Sequence, residues 1–259
     1  MPELPEVETV VRTVAAHLTG RTILSAEFTS RHVTPGNRSA LSKHLTGRKI
    51  ESVRRRGKFI LVTLDEGAFS IHLGMTGSLL VAGKPAQHTH AVFTLDDGLL
   101  LYNDSRQFGK IEWNPGRVHR LGPEPLEISL EDFRARLRRK ARIKPLLLNQ
   151  TFLAGLGNIY ADESLFASGI HPLTSAAKLS APRAAKLHQA IREILTAAIE
   201  AGGSSISDYV DAEGRKGWFQ VSHRVYGREG EACVKCGTPI KRIVVAQRSS
   251  HYCPKCQKR

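Results

Sequence analysis

The chain has 259 residues, with 38 Lys and Arg against 24 Asp and Glu and a formal net charge of +14. That length fits two domains, or one large domain with an appendage, and the charge suggests a polyanionic partner, although a ribosomal or membrane-surface protein could share it. No stretch is apolar for long enough to span a bilayer and no signal-like segment precedes Pro2, so a soluble, cytoplasmic protein without a membrane partner is expected.

The chain opens Met-Pro-Glu-Leu-Pro-Glu-Val-Glu-Thr. Removal of Met1 would expose the ring nitrogen of Pro2 as a free secondary amine. An α-amine titrates near 7.7–8.0, against about 10.4 for lysine, so about a tenth is unprotonated at pH 7. Such an amine can attack an aldehyde-like carbon, and Glu3 and Glu6 beside it could move protons. The same residues also read as a helix start, with Pro5 in the first turn and Glu6 and Glu8 at the positive end of the dipole. At this point both readings stand. Val7, Val10, Val11, Val14 and Leu18 then repeat at three- and four-residue steps, predicting an amphipathic helix over 5–19 stopped by Gly20.

From 22 to about 113 the pattern becomes short β-rich runs: TILSAEF, KIESVRR, KFILVTL, AFSIHL, AVFTL, LLLYN and KIEW. Asp65-Glu66-Gly67 and Asp96-Asp97-Gly98 mark turns, and seven or eight such strands imply a sandwich or a barrel. Three places are not explained by packing. Arg54-Arg55-Arg56-Gly57-Lys58 gathers four cations around a glycine, where a backbone could approach a phosphate; a solvated edge that discourages aggregation is the plainer alternative. His72-Leu73-Gly74-Met75-Thr76-Gly77 sets an apolar tip between glycines, although methionine is more often core filler. Asn103-Asp104-Ser105-Arg106-Gln107-Phe108-Gly109 puts a cation and an aromatic into one turn after a strand.

Proline and glycine thicken over 114–125, which reads as a linker, and the period beyond is helical. Ser129 would cap a helix carrying Phe133 and Leu137, with Arg134, Arg136, Arg138, Arg139 and Lys140 exposed. Pro145 would start a short helix. In Leu153-Ala-Gly-Leu-Gly-Asn158-Ile-Tyr-Ala-Asp162-Glu163 a glycine-rich turn feeds a helix with Asn158 as its expected N-cap. That arrangement aims N–H groups at an anion, or else simply packs a helix–turn–helix. A long helix over 181–201 would be capped by Ser180 and stopped by Gly202-Gly203. Residues 203–220, polar and without period, read as a long functional or disordered loop.

All four cysteines lie in the last 27 residues: Cys233-x2-Cys236 and Cys253-x2-Cys256, sixteen residues apart. This is the spacing of two zinc knuckles closing a four-thiolate site, which leaves no open position and so holds one structural zinc ion. The residues between them read as a β-hairpin turning at Gln247-Arg248-Ser249. Ala232 to Arg259 holds seven Lys or Arg and no acid, so the hairpin could present Arg248 to a phosphate.

With these motifs in order, the sequence resembles the formamidopyrimidine-DNA glycosylase (Fpg) family, relatives of endonuclease VIII. MPELPEVET, RRGKF, HLGMTG, GLGNIYADE and the cysteine hairpin carry the resemblance from Pro2 to the last residues. It implies an α+β multidomain fold: an N-terminal β-sandwich with its helix (1–120), a helix–two-turn–helix domain (121–222) whose loop 203–220 caps a lesion, and a four-cysteine zinc finger (223–259). DNA would lie in a cleft between lobes. It implies a bifunctional glycosylase and AP lyase of base-excision repair, with Pro2 as nucleophile, Glu3 as acid and Lys58 near the damaged nucleotide's phosphate. Asn158 and Arg248 resemble the phosphate clamp, His90 and Tyr226 further backbone contacts, and Met75, Arg106 and Phe108 the residues filling the space left by an extruded base. Arg106 would also contact DNA. The family's usual second arginine in that turn is Gln107 here, which puts one contact in doubt. The implied partner is double-stranded DNA holding oxidised purines, such as 8-oxoguanine or formamidopyrimidines, or abasic sites. The protein would act as a monomer, nucleoid-associated in a bacterium. An endonuclease VIII-like enzyme for oxidised pyrimidines and a non-catalytic DNA-binding protein remain the other readings.

Overall fold

The computed structural model of the chain describes residues 1–205 and 210–259. Two compact units form: Met1–Arg120 together with Ala201–Trp218, and Leu121–Glu200 together with Phe219–Arg259. The change at Arg120 falls inside the Pro/Gly-rich stretch, just after a single 3-10 turn, Val118–Arg120.

The first unit begins with α1 (Leu4–Leu18), one residue earlier than the sequence predicts because Pro5 fits the first turn, whose N–H groups have no helical partner anyway. Among the described residues eight strands follow, with one helix among them: β1 (Ile23–Phe28), α2 (Arg38–Leu45), β2 (Ile50–Arg56), β3 (Phe59–Leu64), β4 (Ala68–His72), β5 (Ser78–Leu80), β6 (Thr89–Leu95), β7 (Leu99–Asn103) and β8 (Lys110–Trp113). They pair antiparallel in two open sheets, ordered β1-β6-β7-β5 and β2-β3-β4-β8. Of sandwich and barrel, the chain forms the sandwich. Alternation explains the core: Ile60, Val62 and Leu64 of β3 and Ala91, Phe93 and Leu95 of β6 point inward, as do Val7, Val10, Val14 and Leu18 of α1. Phe69 stacks on Phe93 at 5.7 Å between centroids. Two elements escape sequence reading. Helix α2, capped by Asn37 Oδ1 accepting from Ala40 N, buries only Leu41 and Leu45, and β5 is three residues long, so neither shows a period.

Ala201–Trp218 belongs to this unit by specific bonds. Ser204 bridges Trp218, Trp218 N donates to Ala201 O at 3.0 Å and Val81 N to Ala212 O at 3.1 Å, and Ala212 is buried in the sandwich core. Within the expected loop 203–220, residues 206–209, which include Ser207, lie outside the described residues.

The second unit holds α3 (Leu130–Leu137), α4 (Ile143–Leu148), α5 (Asn158–Ser168), α6 (Ala181–Glu200) and the hairpin β9 (Lys241–Val245) with β10 (Arg248–Tyr252). Ser129 Oγ accepts from Asp132 N, as its position before α3 predicts. Helix α4 starts at Ile143 and not at Pro145; the third residue of a helix also lacks an N–H partner, so proline is tolerated there. The hairpin turns at Ala246-Gln247, at φ 49° and 61°, rather than at Gln247–Ser249. A two-residue turn with both residues left-handed matches strand twist and places Arg248 as the first residue of β10. Among the described residues no helix is long and apolar enough to cross a membrane.

Candidate functional site

In the first unit the chemistry-bearing residues converge on the N-terminus. Glu3 is the N-cap of α1, and its N–H donates to Glu6 Oε2 at 2.8 Å. The other oxygen of Glu6 accepts from Ser204 N at 2.7 Å. The buried Glu6 carboxylate therefore ties the terminal segment to the root of the 203–220 loop. The fit is tight: a Cβ on Gly203 would lie 2.9 Å from Glu6 Oε1. Burial holds the terminal amine of Met1 below its ordinary pKa; the Glu3 and Glu6 charges oppose that shift and those of Lys58 and Arg106 reinforce it. Pro2, Glu3 and Lys58 are all buried. Lys58 follows Gly57, which turns the chain between β2 and β3 at φ 57°. Of the clustered cations, Arg54 is exposed on the edge strand β2, while Arg55 donates to Glu8 Oε2 at 2.9 Å and to Gly57 O at 3.2 Å.

Two neighbouring loops carry the candidate base-filling residues. Met75 is 42% and Phe108 50% exposed, unusual for apolar side chains on tight turns, and the Arg106 guanidinium sits 4.7 Å from the Phe108 ring centroid. The fully buried Asp104 holds both loops. Its Oδ1 accepts from Thr76 Oγ1 at 2.5 Å and Arg106 N at 3.2 Å; its Oδ2 accepts from Gly109 N at 2.8 Å and Tyr102 Oη at 3.2 Å. Burial and the Asp104 charge push the Tyr102 phenol far above its ordinary pKa, so it stays a donor. Glycine is required where the loops meet, since a Cβ on Gly74 would lie 2.5 Å from Gly109 N and one on Gly109 1.6 Å from Tyr102 Oη. His90 is buried with Nε2 3.0 Å from Asp104 O. Gln107, where the resemblance expects arginine, turns inward with Oε1 accepting from Ser30 Oγ at 2.6 Å.

The sequence suggests proton transfer or helix-dipole compensation for Glu6, not the bridge to Ser204, and marks no role for Asp104 or His72. His72 Nδ1 accepts from Gly74 N at 3.2 Å, bracing the Met75 loop. Burial, reinforced by the charges of Lys58, Arg117 and Lys110, lowers its pKa to about 4, so it is a neutral acceptor at pH 7. The signal was there in HLGMTG, but a histidine before a glycine turn has too many ordinary uses to be singled out.

In the second unit Asn158 is the first residue of α5, and Gly157 is the N-cap, one residue from the expected place. The Asn158 side chain is therefore not the cap and reaches the hairpin instead: its Nδ2 donates to Ser249 Oγ at 3.4 Å. Arg248 is exposed at the head of β10. Tyr226 is fixed through its main chain. Buried Glu163 accepts from Arg224 N at 3.0 Å, Val225 N at 2.9 Å and Tyr226 N at 2.8 Å. Burial raises the pKa of Glu163 and those bonds oppose the rise.

The four sulfurs of Cys233, Cys236, Cys253 and Cys256 lie within 4.8 Å of one another, with Cys233–Cys256 at 3.9 Å and Cys236–Cys253 at 3.5 Å. A tetrahedron of Zn–S bonds of about 2.3 Å has edges of about 3.8 Å, so the set fits one zinc ion. Lys235 N and Cys256 N each point at a sulfur, at 3.4 Å, the arrangement that stabilises thiolates. The finger's apolar cluster is small: Ile240 and the cysteines meet Phe166 of α5 and Val225.

Comparison with known proteins agrees with this layout. Family models match residues 1–111 (formamidopyrimidine-DNA glycosylase N-terminal domain), 121–210 (formamidopyrimidine-DNA glycosylase H2TH domain) and 230–259 (zinc finger found in FPG and IleRS). The chain is 62% identical over 265 residues to a formamidopyrimidine-DNA glycosylase of Solibacter usitatus, covering 100% of both chains. Among solved structures it resembles the MutM (Fpg) protein of Thermus thermophilus, with TM-score 0.89 and 40% identity over 99% of this chain and 98% of that one. It also resembles Lactococcus lactis Fpg in complex with abasic-site DNA, with TM-score 0.90 and 38% identity over 99% and 100% of the two chains.

Proposed function

Because the chain belongs to the formamidopyrimidine-DNA glycosylase family, we propose that its N-terminal proline, once Met1 is removed, is the nucleophile of this DNA repair glycosylase and AP lyase. The observation that carries the proposal is the convergence on the terminus: Pro2, Glu3 and Lys58 are buried together there, and the charges of Glu3, Glu6, Lys58 and Arg106 all act on the amine of the residue that precedes Pro2. A base inside a duplex cannot present its sugar carbon, so the nucleotide is first extruded. Unstacking costs a few kcal/mol, offset here by Met75, Phe108 and Arg106 filling the vacated stack. The Pro2 nitrogen attacks C1′, the bond from C1′ to the base breaks, and Glu3 protonates the sugar ring oxygen as the ring opens. The resulting iminium acidifies the C2′ proton. Loss of that proton expels the 3′ phosphate, and a second elimination expels the 5′ phosphate.

Lys58 would steady the phosphate of the damaged nucleotide, and Asn158, Arg248, His90 and Tyr226 the remaining backbone, a sequence-independent hold. The proposed substrates are 8-oxoguanine and formamidopyrimidines in duplex DNA, with 203–220 as the lesion-capping part of the segment 121–222 and the monomer as the acting species. Gly203 and Gly217 support this reading of the loop by permitting close backbone approach, and a lesion group left without its hydrogen bond costs about 1–3 kcal/mol. Borohydride should cross-link the mature protein to duplexes carrying these lesions. Trapping and strand cleavage that persist unchanged in Pro2→Gly, or with Met1 retained, would remove Pro2 from the mechanism.

A further inference from the structure

The second unit contains a charge pair that neither the zinc site nor the expected DNA contacts account for. Lys144 of α4 and Asp162 of α5 are 0% and 1% exposed, with Nζ 2.7 Å from Oδ1. A buried pair of this kind seldom adds stability over apolar side chains of the same size, because both ions lose their water; its best-attested use is to fix one geometry. Each partner here also holds the main chain of β10. Lys144 Nζ donates to Ser249 O at 2.6 Å, and Asp162 Oδ2 accepts from His251 N at 2.9 Å. Residues two apart present their main-chain groups along the same edge of a strand. The pair therefore grips one edge of β10 at Ser249 and His251, one and three residues past the exposed Arg248, and Asn158 reaches the same strand at Ser249 Oγ.

We infer that Lys144 and Asp162 are positioning residues: they lock β10 to the two helices and so set where the Arg248 guanidinium stands relative to Asn158. The inference rests on the reading of Arg248 as a phosphate contact. The left-handed turn at Ala246-Gln247 sets the path of the hairpin before Arg248, and the ion pair sets it after.

The test compares wild type, Arg248→Ala, Lys144→Met/Asp162→Asn and the triple variant in binding a duplex that carries a stable abasic-site analogue. Affinity is measured across a salt series, with zinc content determined in parallel. The double variant removes one charge of each sign, so its net charge is unchanged, and the asparagine keeps an oxygen for His251 N–H. Arg248→Ala should lower the log–log salt slope by about 0.9, one phosphate's worth. The double variant should lower it by a similar amount while keeping one zinc per chain, and the triple variant should show no further drop. A slope unchanged by Arg248→Ala would dismiss the phosphate reading itself and the inference with it. A slope lowered by Arg248→Ala but not by the double variant, or losses that multiply in the triple, would dismiss the positioning role alone. If the double variant sheds zinc, Asp162→Asn alone takes its place; zinc loss there too would assign the pair to assembly of the finger and overturn the inference.

Discussion

Asp104→Asn is the substitution that tests most directly how the base-filling loops are held. The carboxylate is fully buried and accepts from four donors, two on each oxygen: Thr76 Oγ1 and Arg106 N on one, Gly109 N and Tyr102 Oη on the other. An amide turns one oxygen into a donor, so whichever way it is flipped one backbone N–H loses its acceptor and the hydroxyl beside it must reverse to accept. Hydrogen bonds to a charged group contribute about 1.5–3 kcal/mol each and neutral ones about 1. Losing one of the charged bonds, and the charge assistance on the other three, should cost about 3 kcal/mol. Both tryptophans, Trp113 and Trp218, lie in the first unit, so urea unfolding followed by their fluorescence reports the loss there. Because the residue holds the Met75 and Phe108 loops together, 8-oxoguanine excision should fall further than cleavage at a preformed abasic site, where no base has to be unstacked. A change in stability below about 0.5 kcal/mol, the range of ordinary surface substitutions, would refute the argument, as would equal losses on the two substrates.

His72 should give the first unit an acid limb. Its pKa is lowered to about 4 from about 6.5 in an unfolded chain, so the unfolded state takes the proton first. The contribution is full above about pH 6.5 and is lost as pH falls towards 4, up to about 3 kcal/mol. His72→Gln, which keeps an acceptor for Gly74 N, should flatten that limb in tryptophan-monitored unfolding; an unaltered limb would show that the group does not titrate this way. Cys253→Ser should release the zinc ion and weaken DNA binding while first-unit unfolding stays the same, and a first unit that unfolds earlier would count against a local role for the metal. Shortening the loop between Ser205 and Arg215 should depress 8-oxoguanine excision far more than abasic-site cleavage. Equal depression would make the loop a general DNA contact, and a wild-type preference for oxidised pyrimidines would remove it as a purine reader.

The amino-acid order alone determines whatever depends on residues close together in the chain. The valines of α1, the alternating strands, the Ser129 cap and the paired Cys-x2-Cys knuckles are all legible, because a helix face, a strand face or a chelate is set by spacings of two to four residues. Motif order was enough to place the family, since MPELPEVET, HLGMTG and GLGNIYADE are each specific strings. Short elements with one or two buried side chains, α2 and β5, leave no such period.

Tertiary structure decided everything that joins distant positions. Glu6 meets Ser204 across 198 residues, Lys144 meets Ser249 across 105, and Gln107 finds Ser30 across 77. Each is a polar side chain whose partner is invisible in the sequence and which becomes a brace only when the fold brings that partner near. Burial makes an unpaired polar group costly, so the partner must be supplied from whatever the fold brings near. That is why nothing within their own motifs marks Asp104 or His72 as a brace. The sequence names the groups that can do the chemistry; only the packing shows which buried groups hold them in position.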